Sequence, residues 1–241
     1  RDRLWQRRLK AVRRYKKSGR LLDVGTGTGQ FLRHAARYFA VAGTEVSSSA
    51  VRIARKKYGL HITEGGVWDV SVDGGFDVIT LFHVLEHVPS PSAMIRDCAA
   101  LLAEDGVLVV AVPSDVISVK PSVKRALAFL GVRRFKSNRL GLPRAVLDGT
   151  VPEIHLSHFT PKTLLRLVRQ NGLEVLDLGL DPYYVTAGAR KLAHQAWFLT
   201  HSILWSVLGL HTYETILIST KREKAATART RGGNSSPAPR L

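Results

Sequence analysis

A short apolar run leads directly into a turn with three glycines, and this junction limits the possible folds more than any other part of the sequence. The run is residues 21–24, and the turn is Gly25-Thr26-Gly27-Thr28-Gly29. Glycine lets the backbone turn sharply and approach a ligand without a side chain in the way. The helix expected next would present free N–H groups to anionic ligand atoms. The junction therefore predicts a strand, a nucleotide-binding turn and a helix, in that order.

The alternation of apolar runs and helical segments continues along the chain and predicts its fold class. Strands are predicted at 20–24, 40–46, 61–64, 76–82, 106–112, 174–178 and 213–220, and helices at 30–38, 48–58, 92–102 and 161–170. Near-continuous apolar strands separated by helices are typical of a parallel sheet covered on both faces. We therefore expect an α/β fold with a doubly wound, Rossmann-like sheet.

The charge of the chain is unevenly distributed and predicts contact surfaces for something anionic. Thirty-six Lys and Arg residues against nineteen Asp and Glu residues give a formal net charge of +17. Residues 1–20 hold ten basic side chains and one acidic side chain. Residues 118–145 hold eight basic side chains and no acidic one, and the end of the chain is also basic. Such stretches are typical contacts for lipid headgroups, nucleic acid or a phosphorylated substrate.

We expect one large domain with attached segments. The 241 residues have room for one domain with a sizeable core, and the single Cys98 excludes an internal disulfide and a cysteine-rich zinc site. A basic amphipathic helix is predicted over 1–19 and the main domain over 20–220, with an insertion at about 116–152. A basic, disordered tail is predicted over 221–241.

Residues 192–210 carry no formal charge and are rich in Trp, Phe, Ile and Leu. The segment is barely long enough for a transmembrane span. Three alternatives stay open for a helix at about 190–210: an interfacial helix against a membrane or a lipid-like substrate, a dimer interface, and a buried core helix.

Two features of the glycine turn narrow the choice of ligand. The third glycine of a dinucleotide fingerprint would fall on Gln30, and the Lys of a phosphate-binding NTPase loop is absent. Glu45 ends the second predicted strand, where an acidic side chain can accept hydrogen bonds from both ribose hydroxyls. With Asp23 two residues before Gly25, the turn resembles the first motif of the class I S-adenosylmethionine-dependent methyltransferases.

Later motifs resemble the small-molecule and quinone-biosynthesis O-methyltransferase branch of that family. They are Phe76-Asp77-Val78-Ile79, Phe82-His83-Val84-Leu85-Glu86-His87-Val88-Pro89, Asp105-Gly106-Val107-Leu108 and His155-Leu156-Ser157-His158-Phe159-Thr160-Pro161. The resemblance covers about residues 20–180 and implies a seven-stranded, mostly parallel sheet with its last strand antiparallel. It also implies S-adenosylmethionine as cofactor and methyl transfer to oxygen on a small-molecule or lipid-linked acceptor.

The resemblance implies roles for individual residues. Glu45 would bind the ribose diol, and Val46, Val67 and Trp68 would surround the adenine, with Asp69 a further candidate for its amino group. The full set of expected cofactor-binding residues is Asp23, Gly25, Thr26, Gly27, Gly29, Glu45, Val46, Val67, Trp68 and Phe82. An oxygen nucleophile can need a base, and histidine suits that role because its pKa lies near neutrality. The candidate catalytic residues are His83, His87, His155 and His158.

Other functions stay open. His83, Glu86 and His87, with His155 or His158, are residue types that bind metals, but the resemblance explains them without an ion, so we expect no metal. The positive charge would suit a nucleic-acid methyltransferase, although aromatic residues are sparse among the charges. A non-catalytic cofactor-binding protein at a membrane surface is the third alternative. We expect a cytoplasmic protein, with an anionic membrane surface and a homodimer as candidate associations.

Overall fold

The structure is a computed structural model that describes residues 2–71, 73–113, 155–180, 199–200 and 215–222. The insertion at 116–152, nearly all of the apolar segment 190–210 and residues 223–241 lie outside this description. The helices are α1 Asp2–Tyr15, α2 Gln30–Ala35, α3 Ser48–Tyr58, α4 Pro91–Leu101 and α5 Pro161–Gln170. The strands are β1 Arg20–Val24, β2 Ala40–Glu45, β3 Ile62–Glu64, β4 Phe76–Phe82, β5 Leu102–Pro113, β6 Leu173–Leu180 and β7 Thr215–Arg222.

These strands form one seven-stranded sheet in the order β3-β2-β1-β4-β5-β7-β6. All neighbours from β3 to β5 are parallel, whereas β7 is antiparallel to both β5 and β6. The predicted doubly wound sheet with its last strand antiparallel is therefore confirmed. The winding direction reverses between β1 and β4, and the crevice at such a reversal, outside the carboxyl ends of the strands, is where ligands bind in open α/β sheets.

The strands carry apolar side chains on both faces of the sheet, so both faces must be covered. A different set of helices covers each face. Helices α4 and α5 pack on the face that includes Ile79, and α1, α2 and α3 pack on the face that includes Val78. The alternation of side chains along β4 thus divides the core into two layers. Both layers consist mainly of apolar side chains and hold the strands in place, and with them the strand ends at which a site can be built.

The helix ends follow from local chemistry. Helix α5 begins after Thr160, whose hydroxyl accepts a hydrogen bond from the Thr163 N–H at 3.1 Å, and Pro161 occupies its first turn. Helix α3 has Ser47 as its N-cap and ends at Gly59, which has a φ of 62°. These two helices and β4 have the predicted bounds.

Other boundaries differ from the predictions for identifiable reasons. Helix α2 ends at Ala35 rather than 38, because a turn closed by the Tyr38 N–H and the Ala35 carbonyl precedes β2. Strand β7 continues to Arg222, two residues into the predicted tail, because Lys221 and Arg222 pair with the start of β6.

Among the described residues, no helix combines the length and apolar composition needed to cross a bilayer.

Helix α1 lies across the sheet face that also carries α2. Its buried side includes Leu4, Leu9 and Val12, as expected for an amphipathic helix. Near its amino end, the Trp5 indole N–H donates to the Gln30 amide oxygen at 3.2 Å. Near its carboxyl end, Arg14 lies 3.5 Å from Asp177 of β6. The basic first helix is therefore packed onto the domain rather than separate from it.

Candidate active site

The glycine turn lies between β1 and α2, at the predicted crevice. Gly25, Gly27 and Gly29 have φ angles of 71°, 55° and 79°, a region that side chains with a Cβ seldom occupy. The N–H groups of Gly25 and Thr26 both donate to the Thr44 carbonyl at 2.9 Å. These two bonds tie the turn to the carboxyl end of β2.

The three glycines differ in what surrounds them. A Cβ on Gly25 would lie 2.4 Å from Cγ2 of Val84, and one on Gly29 would lie 2.5 Å from Cδ1 of Leu60. A Cβ on Gly27 would have nothing within 4 Å. Gly25 and Gly29 are therefore needed for the close packing of the turn, whereas Gly27 borders open space that a ligand could fill.

Glu45, the last residue of β2, lies directly beside this open space. Its Oε2 accepts a hydrogen bond from the Gly27 N–H at 2.7 Å, and its Oε1 accepts one from the Ser47 N–H at 2.9 Å. Each carboxylate oxygen keeps further acceptor capacity. The carboxylate is thus held in a fixed position at the turn and could accept hydrogen bonds from ligand hydroxyls.

Asp23 lies beneath the turn and is only 3% exposed. The hydroxyl of Thr80 on β4 donates to its Oδ1 at 2.6 Å. Burial raises the pKa of Asp23 to about 6, although the Thr80 hydrogen bond and the positive charge of Arg8 favour its ionised form. The structure therefore places Asp23 as a buried link between β1 and β4.

The residues expected around an adenine divide into two groups. Val46 and Trp68, which follow β2 and β3, are 74% and 68% exposed at the same edge of the sheet. Val67 is buried in the core, so it could contact a ligand only through its backbone. The carboxylate of Asp69 accepts a hydrogen bond from the Gly66 N–H at 2.8 Å and closes a short 3-10 turn, Val67–Asp69.

Phe82 ends β4 on the other side of the crevice, and His83 follows it. Phe82 is buried, and its ring meets that of Phe31 edge to face at 4.9 Å. His83 has a φ of 60°, the only positive φ outside glycine among the described residues. Its N–H donates to the Ala111 carbonyl of β5 at 2.9 Å. Such conformations cluster at functional sites, where the surrounding structure enforces them.

Arg8 of α1 is a site residue that sequence reasoning did not identify. It is only 1% exposed, and its guanidinium lies 4.7 Å from the centre of the Phe82 ring. Its Nη2 lies 2.9 Å from Nε2 of His83. A signal was available, because helical spacing puts Arg8 one turn from both Leu4 and Val12, on the apolar side of α1.

The contact with Arg8 determines the tautomer of His83. A guanidinium can only donate hydrogen bonds, so Nε2 of His83 must accept and carry no proton. The ring proton is then on Nδ1, which lies 3.2 Å from Oε1 of the fully buried Glu86. Arg8, His83 and Glu86 form a chain in which a neutral imidazole lies between a cation and a carboxylate.

The other three predicted histidines lie together next to this chain. The ring centres of His87 and His155 are 5.0 Å apart, and those of His155 and His158 are 6.1 Å apart. The N–H groups of Leu156 and Ser157 donate to the Glu86 carbonyl, which holds the lead-in to α5 against the loop after β4. Residues far apart in sequence are thus brought into one cluster at the carboxyl end of β4.

Part of this cluster has the composition of a metal site. One ligand atom each from Glu86, His87 and His155 can be chosen so that all lie within 4.8 Å of one another. Imidazole and carboxylate are suitable ligands for several divalent metals. The expectation that the protein uses no metal stays a prediction.

A model of the methyltransferase domain family matches residues 1–178, well over half of the chain. The match includes α1 and extends into β6, so it covers every element described around the crevice.

Two relatives by sequence are ubiquinone biosynthesis O-methyltransferases. The protein from Xanthomonas euvesicatoria pv. vesicatoria is 39% identical over 101 residues, which are 37% of this chain and 41% of that protein. The protein from Neisseria meningitidis serogroup A is 27% identical over 184 residues, which are 69% of this chain and 68% of that protein. The first of these alignments therefore spans less than half of the relative.

Solved structures share the fold at low identity. A SAM-dependent methyltransferase from Archaeoglobus fulgidus superposes with a TM-score of 0.59 at 14% identity, over 92% of this chain and 95% of that one. Magnesium protoporphyrin IX methyltransferase from Synechocystis, solved with bound SAH, gives 0.59 at 14% identity, over 92% and 83% of the two chains.

Proposed function

The chain belongs to the S-adenosylmethionine-dependent methyltransferases, and we propose that it methylates an oxygen atom of a small-molecule or lipid-linked acceptor. The two relatives named as O-methyltransferases support oxygen as the methylated atom. One structural observation carries the proposal for the site. The Glu45 carboxylate is held against the Gly27 N–H beside open space at the carboxyl ends of the strands.

The residues around the glycine turn fit this cofactor. Gly27 leaves room for the ligand, and Glu45 would accept hydrogen bonds from its two ribose hydroxyls. The exposed side chains of Val46 and Trp68 would contact the adenine. Asp23 lies beneath the turn and would support it by holding β1 against β4 through its hydrogen bond with Thr80.

S-adenosylmethionine supplies an electrophilic methyl group on a sulfonium, so the protein mainly has to align the acceptor with that carbon. Phe82, the last residue of β4, and His83, which follows it, would form the wall facing the reacting atoms. Arg8 packs on Phe82 and binds His83, and it would hold both side chains in place. The apolar ring of Phe82 would also help to exclude water from the reacting atoms.

The four candidate histidines would have different roles. Nε2 of His83 accepts a hydrogen bond from Arg8, which engages the lone pair that a base requires. We assign His83 to positioning and the removal of the acceptor's hydroxyl proton to the cluster of His87, His155 and His158. The half-exposed ring of His87 lies 3.8 Å from the buried Glu86 carboxylate, which would stabilise it after it takes up the proton.

Residues 116–152 and 182–211 would complete the acceptor site above the sheet. Except for Leu199 and Thr200, both segments lie outside the described residues. Cytoplasmic localisation, a membrane-surface association and a homodimer stay predictions.

Calorimetric titration of the purified chain tests the cofactor assignment. We expect saturable binding of S-adenosylmethionine and S-adenosylhomocysteine, and none of NAD. Glu45→Ala should weaken binding at least tenfold, because the ribose loses its acceptor. The matched control is Glu64→Ala, which removes a carboxylate from the end of the adjacent strand β3 and should leave the affinity within twofold. Equal losses in both variants would contradict the assignment of Glu45.

Methyl transfer to candidate acceptors tests the rest of the proposal. We expect label from S-adenosylmethionine to appear on phenolic quinone precursors or hydroxylated lipids, with loss of one acceptor oxygen proton per methyl group. Transfer to RNA or DNA alone would favour a nucleic-acid methyltransferase instead. Saturable cofactor binding without turnover on any acceptor would favour a non-catalytic protein.

A further inference from the structure

A basic groove runs along the outer surface between α1 and the turn after α2, separate from the crevice at the strand ends. Its volume is about 520 Å³. We refer to it as the basic groove. The cationic side chains that line it are Lys10, Arg13, Arg14, Lys17 and Arg37. Lys10, Arg13 and Arg14 belong to α1, Lys17 follows it, and Arg37 follows α2. The methyl-transfer site makes no use of these side chains.

Most of this positive charge is not neutralised by the described part of the protein. Arg14 pairs with Asp177 at 3.5 Å, and Asp2 is held by Arg33 at the other end of α1. Lys10, Lys17 and Arg37 form no ion pair with any described residue.

Arg13 is already positioned at the floor of the groove. Its guanidinium stacks over the Tyr38 ring at 3.7 Å, and its buried Nε has no hydrogen-bond partner among the described residues. A buried N–H without a partner costs free energy that a bound acceptor would recover. A stacked guanidinium also keeps its fork of donors in one plane, which is the geometry that phosphate oxygens accept.

The length of the groove indicates more than one anionic group. Lys10 lies five residues before Tyr15, the last residue of α1, or about 8 Å along the helix axis, and Lys17 lies two residues beyond that end. A single phosphate cannot contact both ends of such a stripe. We propose that the basic groove binds a small ligand that carries two or more linked phosphates, such as a diphosphate group.

The shape of the site favours this class over larger anionic partners. A membrane presents a flat surface, whereas the cations here line a concave groove. Single-stranded nucleic acid uses exposed aromatic faces for base stacking. The exposed aromatic ring in the groove is Tyr38, and Arg13 already covers its face.

Calorimetry with inorganic polyphosphates tests the proposal on the full chain at about 0.15 M salt. We expect one saturable site, with tripolyphosphate binding more tightly than pyrophosphate and orthophosphate binding most weakly. The variant K10Q/K17Q/R37Q should weaken tripolyphosphate binding at least tenfold. The control R52Q/K56Q/K57Q removes the same charge from exposed positions on α3 and should change it less than twofold.

Several results would overturn the proposal. They are no saturable binding, equal losses in the two triple variants, or a groove-dependent association only with phosphatidylglycerol vesicles or with an RNA oligonucleotide. Binding of S-adenosylhomocysteine, measured in parallel, should be the same in all three proteins. This separates failure of the basic groove from failure of the cofactor assignment.

Discussion

The Nη2 atom of Arg8 donates a hydrogen bond to Nε2 of His83 over 2.9 Å, and this contact joins the first helix to the loop after β4. This hydrogen bond makes α1 part of the candidate active site, although most of the charged side chains of α1 face outward. Because the contact directs the ring proton of His83 to Nδ1 and toward Glu86, it limits what His83 can do chemically.

Replacing Arg8 tests this relationship. In Arg8→Met the apolar stem remains but the donor is lost, so we expect His83 to become a mixture of both tautomers. Nitrogen NMR of the imidazole should show this change, and kcat/KM for methyl transfer should fall about tenfold or more, the size of one charged hydrogen bond. Arg7→Met is the control on the same helix and should leave the His83 spectrum unchanged. An unaltered tautomer in Arg8→Met would refute the assigned role.

The three glycines of the turn should respond differently to alanine. Gly27→Ala should cost only about 1 kcal/mol of stability, because its strain is that of a left-handed residue in open space. Its affinity for S-adenosylhomocysteine should nevertheless fall at least tenfold, because the new methyl group occupies the ligand's space. Gly25→Ala and Gly29→Ala should lose more stability, since their Cβ atoms would collide with Val84 and Leu60.

Urea denaturation with parallel calorimetry checks this prediction. If Gly27→Ala bound S-adenosylhomocysteine as tightly as the natural chain, the proposal that the cofactor lies in the open space beside Gly27 would be wrong.

The buried carboxyl of Asp23 should make stability depend on pH. Its pKa is 3.8 for an ordinary Asp and about 6 in the folded protein, so between these values the folded state holds the extra proton. The contribution to stability is therefore full below the lower pKa and is lost as pH rises through the higher one. The free energy of unfolding, relative to Asp23→Asn, should fall by about 2 kcal/mol between about pH 4 and pH 7.

A second variant, Thr80→Val, tests the cause of this effect, because it removes the hydroxyl that favours ionised Asp23. It should move the pH dependence to higher pH. A difference between the natural chain and Asp23→Asn that stays constant with pH would show that Asp23 titrates normally.

Substitution of the clustered histidines should locate the base. Among His87→Gln, His155→Gln and His158→Gln, we expect one to lower kcat about 100-fold with little change in S-adenosylmethionine affinity. His61→Gln, at an exposed position before β3, should change neither quantity. If none of the three lowers kcat, the proton is removed by another group.

Chelation distinguishes a histidine base from a metal centre in the same cluster. We expect activity to survive dialysis against EDTA. A loss of activity that a divalent cation restores would assign Glu86, His87 and His155 to a metal site.

Much of the fold could be read from the order of local patterns. The apolar runs, the caps at Ser47 and Thr160 and the glycine turn each act over a few residues, so the order and type of the elements follow the prediction. Helices α3 and α5 and strand β4 also have the predicted bounds, whereas β5 begins at Leu102 rather than 106. Boundaries shifted where pairing partners decide them. Strand β7 reaches Arg222 because Leu173 of β6 pairs with that residue, which lies 49 positions later in the chain.

The sequence alone determined the sheet, the glycine turn and the acidic end of β2, because strand periodicity, glycine conformations and strand length are local properties. Only the tertiary structure decided that Val67 points into the core and that Arg8 is buried on Phe82 beside His83. It also brought His155 from the lead-in to α5 to His87 of the loop after β4. These contacts depend on how helices pack on a finished sheet, and that packing depends on side chains distant in sequence.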